Sequence, residues 1–206
     1  MLTNQDLRSV HRTALLASVD VVNNVGPEDL HRATPCDGWD LSQLLAHMTV
    51  QHYGFAAAAR GDGADPARWD TATVADAVTA DPSGAYAAAA AEVLDAFTDD
   101  GVLDASMALP EFGPGAAFPG SQAIGFHFVD YVVHGWDVAQ AIDRQFTLPA
   151  EAIAAVLPLV FAIPDGDFRT EPGFPFAPAI AGGEGSSDLD RILLHLGRLP
   201  AWTPSH

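Results

Sequence analysis

The chain has 206 residues, 49% of them apolar, enough to bury the core of one domain or of one domain with an extension, and too few for two full ones. Its 27 acidic residues face 9 basic ones, a formal charge of -18, so nucleic acid and the phosphate-rich surface of a membrane would both be repelled. The basic residues are all Arg, which removes a Schiff-base or phosphate-loop lysine from the available chemistry; Arg-only usage beside abundant Ala, Gly and Asp is what a high-GC genome encodes.

The first element in chain order is a helix from about Asn4 to Asn24, where Leu7, Val10, Ala14, Leu15, Val19 and Val22 recur at helical spacing before "NNVGPED" ends the run. "RATPCDGWDLSQLLAHM" reads as a loop that delivers a second helix: Pro35 and Gly38 punctuate it, Asp40 with Gln43 forms a capping box, and the helix runs to about Ala59. A turn-rich "RGDGADPARWD" leads to an Ala-rich third helix from about Val74 to Phe97, interrupted near "DPSG", whose small side chains let neighbours pack closely.

"DDGVLDASMALPEFGPGAAFPGS" is a long Gly- and Pro-rich loop, of the kind that serves as the lid or wall of a site. A fourth helix follows from about Ser121 to Asp143, then a fifth near Pro149 to Ile163, a Pro- and Gly-rich arm from Pro164 to Gly185, and a short helix near Leu189 to Leu196. The fold class is therefore all-α: an up-down-up-down four-helix bundle over residues 1–145, with a C-terminal helical extension over 146–206 packing on it.

One cysteine, Cys36, excludes an internal disulfide framework, and the amino terminus lacks a basic start followed by a long apolar run, which points to a reduced, cytoplasmic setting. The longest apolar stretches, such as "AIAAVLPLVFAIP", are shorter than the roughly 20 residues that cross a bilayer, so no membrane span is expected. "GGEGSS" has no following Lys to make a phosphate cradle, and no G-x-S-x-G elbow of a serine hydrolase is present.

The chemistry concentrates in "GFHFVDYVVHGWDVAQAID". At 100° per residue, His127, Asp130 and His134 fall on one stripe of the fourth helix, with Asp137 beside them, and Phe128, Val129, Val132, Trp136 and Ala139 occupy the opposite arc. Periodicity alone reads as an amphipathic helix with its polar side in water. The choice of polar residues argues otherwise, because no Lys, Arg, Glu or Ser appears from Gln122 to Asp143, whereas acid and imidazole are what a divalent metal needs.

A carboxylate followed four residues later by an imidazole can reach one ion from adjacent turns, and bundles complete such sites from a facing helix. His47 lies at the edge of the apolar arc of the second helix, and His52 nearer its middle, where a buried histidine bonded to a carbonyl is the plainer reading. Cys36 precedes a helix N-terminus, but Asp37 and Asp40 oppose a lowered thiol pKa, so a structural role is expected of it; Trp39 and Trp136 read as packing residues. His127, one turn before Asp130, reads either as a catalytic group, positioning a neighbouring carboxylate or shuttling a proton, or as an exposed histidine, and Tyr131 and Gln51 carry the same pair of readings.

"TPCDGWDLSQLLAHM" together with "HFVDYVVHGWDVAQAID" resembles the metal-binding DinB-like superfamily, and within it the actinobacterial proteins related to the N-terminal domain of mycothiol-dependent maleylpyruvate isomerase. The resemblance covers about Leu2 to Arg144, and "LDRILLHLGRLPAW" is similar to the ending of one branch. It implies a four-helix bundle with His47, Asp130 and His134 as ligands of a divalent ion, zinc first, with nickel or iron as alternatives. Asp130 stands where the isomerase has Glu, which brings the ion closer to the helix, and the isomerase's catalytic arginine lies in a C-terminal domain with no match in this sequence.

The resemblance further implies an enzyme of small molecules that uses the ion to activate a low-molecular-weight thiol such as mycothiol for transfer or isomerisation. Its rivals are a non-catalytic metal-binding or stress-related protein, and a metal-assisted hydrolase or lyase that uses no thiol. Bundles of this kind often pair, so a homodimer is also expected.

Overall fold

The structure is a computed structural model that describes residues 6–171, 174–182 and 185–204. The chain is all-α apart from one short strand pair, and among the described residues its helices are α1 (Arg8–Val22), α2 (Leu41–Ala59), α3 (Ala75–Ala80), α4 (Pro82–Ala96), α5 (Gly120–Ala141), α6 (Ala150–Phe161) and α7 (Asp188–His195). The expected start of the first helix at Asn4 lies outside the described residues.

Local chemistry accounts for the helix starts. The Asp40 carboxylate accepts the Gln43 N–H at 2.9 Å while the Gln43 side chain accepts the Asp40 N–H at 3.0 Å, so α2 opens with a reciprocal cap that satisfies two otherwise orphaned donors. The interruption at "DPSG" divides the third predicted helix into α3 and α4: Pro82 lacks the N–H needed to continue α3, and Asp81 restarts the helix by accepting the Gly84 N–H at 3.0 Å. The long loop carries structure of its own, the antiparallel strands β1 (Ser106–Ala108) and β2 (Ala117–Pro119), with Met107 opposite Phe118.

Four helices, α1, α2, α4 and α5, make the bundle, and of those consecutive along the chain only α2 and α4 lie side by side. The most extensive contacts join α1 to α5 and α2 to α4, followed by α1 with α4 and α2 with α5, so the order around the bundle is α1, α5, α2, α4. The connections between these helices are long enough to carry the chain across the end of the bundle, whereas short loops would have held sequential helices side by side.

The extension shares the bundle's core: Val156 and Val160 of α6 and Ile192, Leu193 and Leu196 at α7 belong to one buried cluster with Leu41, Leu44, Phe128 and Val132. Among the described residues no helix is long and apolar enough to cross a membrane.

Candidate metal centre

Helix α5 is buried on nearly every side, which disposes of a water-facing polar stripe: Phe128 and Val132 are fully buried, and so are His127 and Asp137. Polar side chains in such a place need partners, and those they find define the site.

At the level of Asp130 and His134, α5 faces His47 on α2. Asp130 Oδ1 lies 3.3 Å from His134 Nε2, and its Oδ2 lies 3.8 Å from His47 Nε2. The three prospective ligand atoms all fall within 4.8 Å of one another. His134 is 5% exposed, whereas His47 and Asp130 retain 22% and 23%, so the group opens to solvent on the side away from His134.

Behind His134 stands a carboxylate. Asp137 Oδ2 lies 2.9 Å from His134 Nδ1, an arrangement that fixes the ring and turns Nε2 toward Asp130. Asp137, itself fully buried, is held by Arg198, whose Nε reaches Oδ1 at 3.0 Å and whose Nη2 reaches Oδ2 at 3.1 Å. Burial alone would lower the His134 pKa, but Asp130 and the hydrogen bond to Asp137 push it up to about 10. Burial would likewise raise Asp130, and the facing His134 and His47 instead hold it far below the ordinary carboxylate range. The two acids thus favour positive charge at His134, which stands between them, and the two imidazoles and one carboxylate of His47, Asp130 and His134 suit zinc and also nickel or iron.

Trp39, delivered by the "TPCDGWD" loop, forms a wall, its ring centroid 4.9 Å from that of His47 and 6.5 Å from that of His134. Thr34 Oγ1 donates to the Trp39 carbonyl at 2.9 Å, and Gly38 turns the chain with φ +78°, a conformation that suits glycine. Trp39 packs, half-buried, against the core beside these rings, and Trp136 is buried in the core. The Cys36 sulfur comes within 4.8 Å of ligand atoms of both His134 and Asp137, and burial raises its pKa.

His127 does not join this group, and the proton-shuttle role read for it from the stripe finds no support in its contacts. It lies about 10 Å before His134 along the helix axis, where α1 and α2 cover α5. Its Nδ1 pairs with His11 Nε2 at 2.7 Å and its Nε2 with His52 Nδ1 at 3.2 Å, leaving neither nitrogen for a substrate. His11, His52 and His127 are at most 1% exposed; burial takes the His11 pKa down to about 3 and holds the other two well below their ordinary value. His52 thus meets an imidazole where a carbonyl was expected, and its Nε2 is buried without a partner. Tyr131 donates its hydroxyl to the Met48 carbonyl, and Gln51 donates to Glu111.

Arg198 and Glu111 were not singled out from the sequence, and His11 only as part of a helix. Nothing local marks them, since their partners lie 61, 60 and 116 residues away. Two surface cavities of about 250 and 400 Å³ lie elsewhere, beside α1, and neither is lined by His47, Asp130 or His134.

A family model described as the mycothiol maleylpyruvate isomerase N-terminal domain matches residues 11–139, and the chain belongs to that family. Two uncharacterized proteins, from two strains of Mycobacterium tuberculosis, are each 28% identical to it over 191 residues, spanning 91% of this chain and 95% of theirs. Among solved structures, the mycothiol-dependent maleylpyruvate isomerase superposes with a TM-score of 0.67 at 15% identity, over 99% of this chain and 92% of that one. A histidine-to-alanine mutant of such an isomerase gives 0.61 at 13% identity, over 94% and 90%. These similarities show a shared fold, and it extends beyond residues 11–139 through the C-terminal extension.

Proposed function

We propose that the protein is a metal-dependent enzyme acting on a small molecule, in which His47, Asp130 and His134 hold a divalent ion, zinc by preference, and a low-molecular-weight thiol of the mycothiol type is activated for transfer or isomerisation. The observation that carries this reading is the convergence of those three side chains on one point, with His134 oriented from behind by a buried carboxylate. Membership of a family described by mycothiol and maleylpyruvate isomerase supports the choice of thiol and of a small electrophile.

Such an ion, with positions open to other ligands, supplies a Lewis acid that makes a thiol more acidic. The chain supplies the rest. His47 and Asp130 lie on the open side, where a thiol can approach; Trp39 shields one flank; and the buried Asp137 and Arg198 keep His134 in the tautomer that presents Nε2.

The test pairs elemental analysis with turnover. Wild-type protein is expected to carry about one ion per chain and His134→Ala none; wild type with added mycothiol is expected to convert at least one of a panel of small electrophiles that includes maleylpyruvate, and chelation to stop it. Unchanged metal in His134→Ala would refute the ligand set. A rate on an electrophile that needs no thiol would replace thiol activation with hydrolysis or lyase chemistry.

A further inference from the structure

One carboxyl group, that of Glu111, reaches the same helix face as His47 through a hydrogen bond from Gln51. Glu111 lies in a 3₁₀ turn, Pro110–Phe112, at the middle of the loop between α4 and α5. The β1 and β2 pairing closes the base of this excursion, continued by the Leu109 N–H donating to the Ala116 carbonyl at 3.0 Å.

Two independent contacts fix where the turn sits. On the α2 side, Gln51 Nε2 donates to Glu111 Oε2 at 3.0 Å, and Gln51 follows His47 by one helical turn on the same face. On the α5 side, the adjacent Phe112 stacks on Phe126 with centroids 4.9 Å apart, and Phe118 packs against both at 5.1 Å. Phe126 precedes Asp130 by one turn, again on the same face. The Glu111 turn is therefore located from both helices as lying one turn along from the prospective ligands, over the seam between α2 and α5.

We propose that Glu111 is the general base of this site, the group that takes the proton of the incoming thiol; the assignment rests on the thiol reading above. The S–H bond breaks, the proton passes to the carboxylate through Oε1, since Oε2 is engaged by Gln51, and sulfur keeps the electron pair it offers to the ion. Glu111 then holds the proton as a neutral acid for return to the product.

The environment suits that task. In the metal-free protein partial desolvation of the carboxyl raises its pKa, the Asp130 carboxylate raises it further and the Gln51 hydrogen bond pulls the other way, leaving it at about 7; an ion held by Asp130 would offset part of that rise, and the group remains a carboxylate that can accept a proton near neutral pH. The other titratable group coupled to it is Tyr131, whose hydroxyl is committed to the Met48 carbonyl. The outer edge of Glu111 is open to solvent, which lets it exchange its proton between turnovers.

The test follows thiol deprotonation directly. Cobalt-substituted protein is mixed rapidly with mycothiol, and thiolate ligation is read from the sulfur-to-metal charge-transfer band across a range of pH. In wild type the ligation rate is expected to fall as pH drops and Glu111 becomes protonated. In Glu111→Gln it is expected to be slower on the order of 100-fold and to follow only the thiolate already free in solution, at unchanged metal content and Tm. Equal ligation rates and pH profiles in the two proteins would overturn the role of Glu111 and leave the thiol reading standing. Absence of thiol binding by wild type would overturn the thiol reading itself. Should Glu111→Gln fail to fold, Glu111→Asp decides: a rate between wild type and the free-thiolate limit supports the assignment, and a wild-type rate and profile oppose it.

Discussion

Arg198, three residues past the end of α7, forks onto Asp137 of α5 with contacts of 3.0 and 3.1 Å, and both side chains are buried. The end of the chain therefore holds the carboxylate that aligns His134.

Replacing Arg198 by Met leaves Asp137 buried without its cation. Breaking one half of a buried pair costs about 3–5 kcal/mol, and loss of the group that orients a ligand typically weakens metal binding by about 10- to 100-fold. Denaturant unfolding and a metal competition titration of Arg198→Met should show both losses together. A variant of wild-type stability and affinity would mean that the contact carries neither.

Acid should unfold the protein through His11, His52 and His127. Their folded pKa values lie below the ordinary 6.5, so as pH falls beneath that value the unfolded chain binds protons that the native state refuses, and stability drops until the native pKa is reached, about 3 for His11. Three such groups give a slope of about 4 kcal/mol per pH unit. His134 adds nothing in this window, because it is protonated in both states. Unfolding free energies measured between pH 6 and 4 should show this steepness, and His127→Phe should lessen it while exposing two unpaired imidazole nitrogens.

Alkali acts on the metal-free protein with the opposite sign. His134 has a raised pKa of about 10, so its contribution is complete below pH 6.5 and is lost as pH rises toward 10, at about 1.4 kcal/mol per pH unit. An ion in the site takes the place of that proton, so the metal-loaded protein should resist this loss and metal binding near pH 8 should release about one proton from His134. Thermal melts of both forms from pH 7 to 10 provide the comparison; parallel curves would contradict it.

Gly135, between His134 and Trp136, lets α5 approach its neighbours closely. A Cβ there would come 2.8 Å from Phe146 ring carbons and 3.2 Å from the Ser18 Cβ. Overpacking of this kind costs about 1–3 kcal/mol, so Gly135→Ala should lower Tm and displace His134, which a weaker metal affinity would reveal. An undisturbed Tm would show that Phe146 can move aside.

Whatever depends on neighbouring residues was legible in the sequence. The Asp40 and Gln43 cap, the break at Pro82 and the shared stripe of Asp130 and His134 follow from side chains a few positions apart, where backbone geometry alone decides who meets whom. The His47 assignment came from resemblance, and folding brings that residue to Asp130 from another helix. His127 shows the limit of periodicity. An angular stripe says which way a side chain leaves the helix and nothing of what lies at that height along it, so the same stripe enters a histidine cluster at one level and a prospective ion site at the next. Arg198 on Asp137, Glu111 on Gln51 and the ring order of the helices were decided only by tertiary packing. Such pairings are chosen by the burial of the whole chain, through contacts between residues whose separation in sequence leaves no local trace.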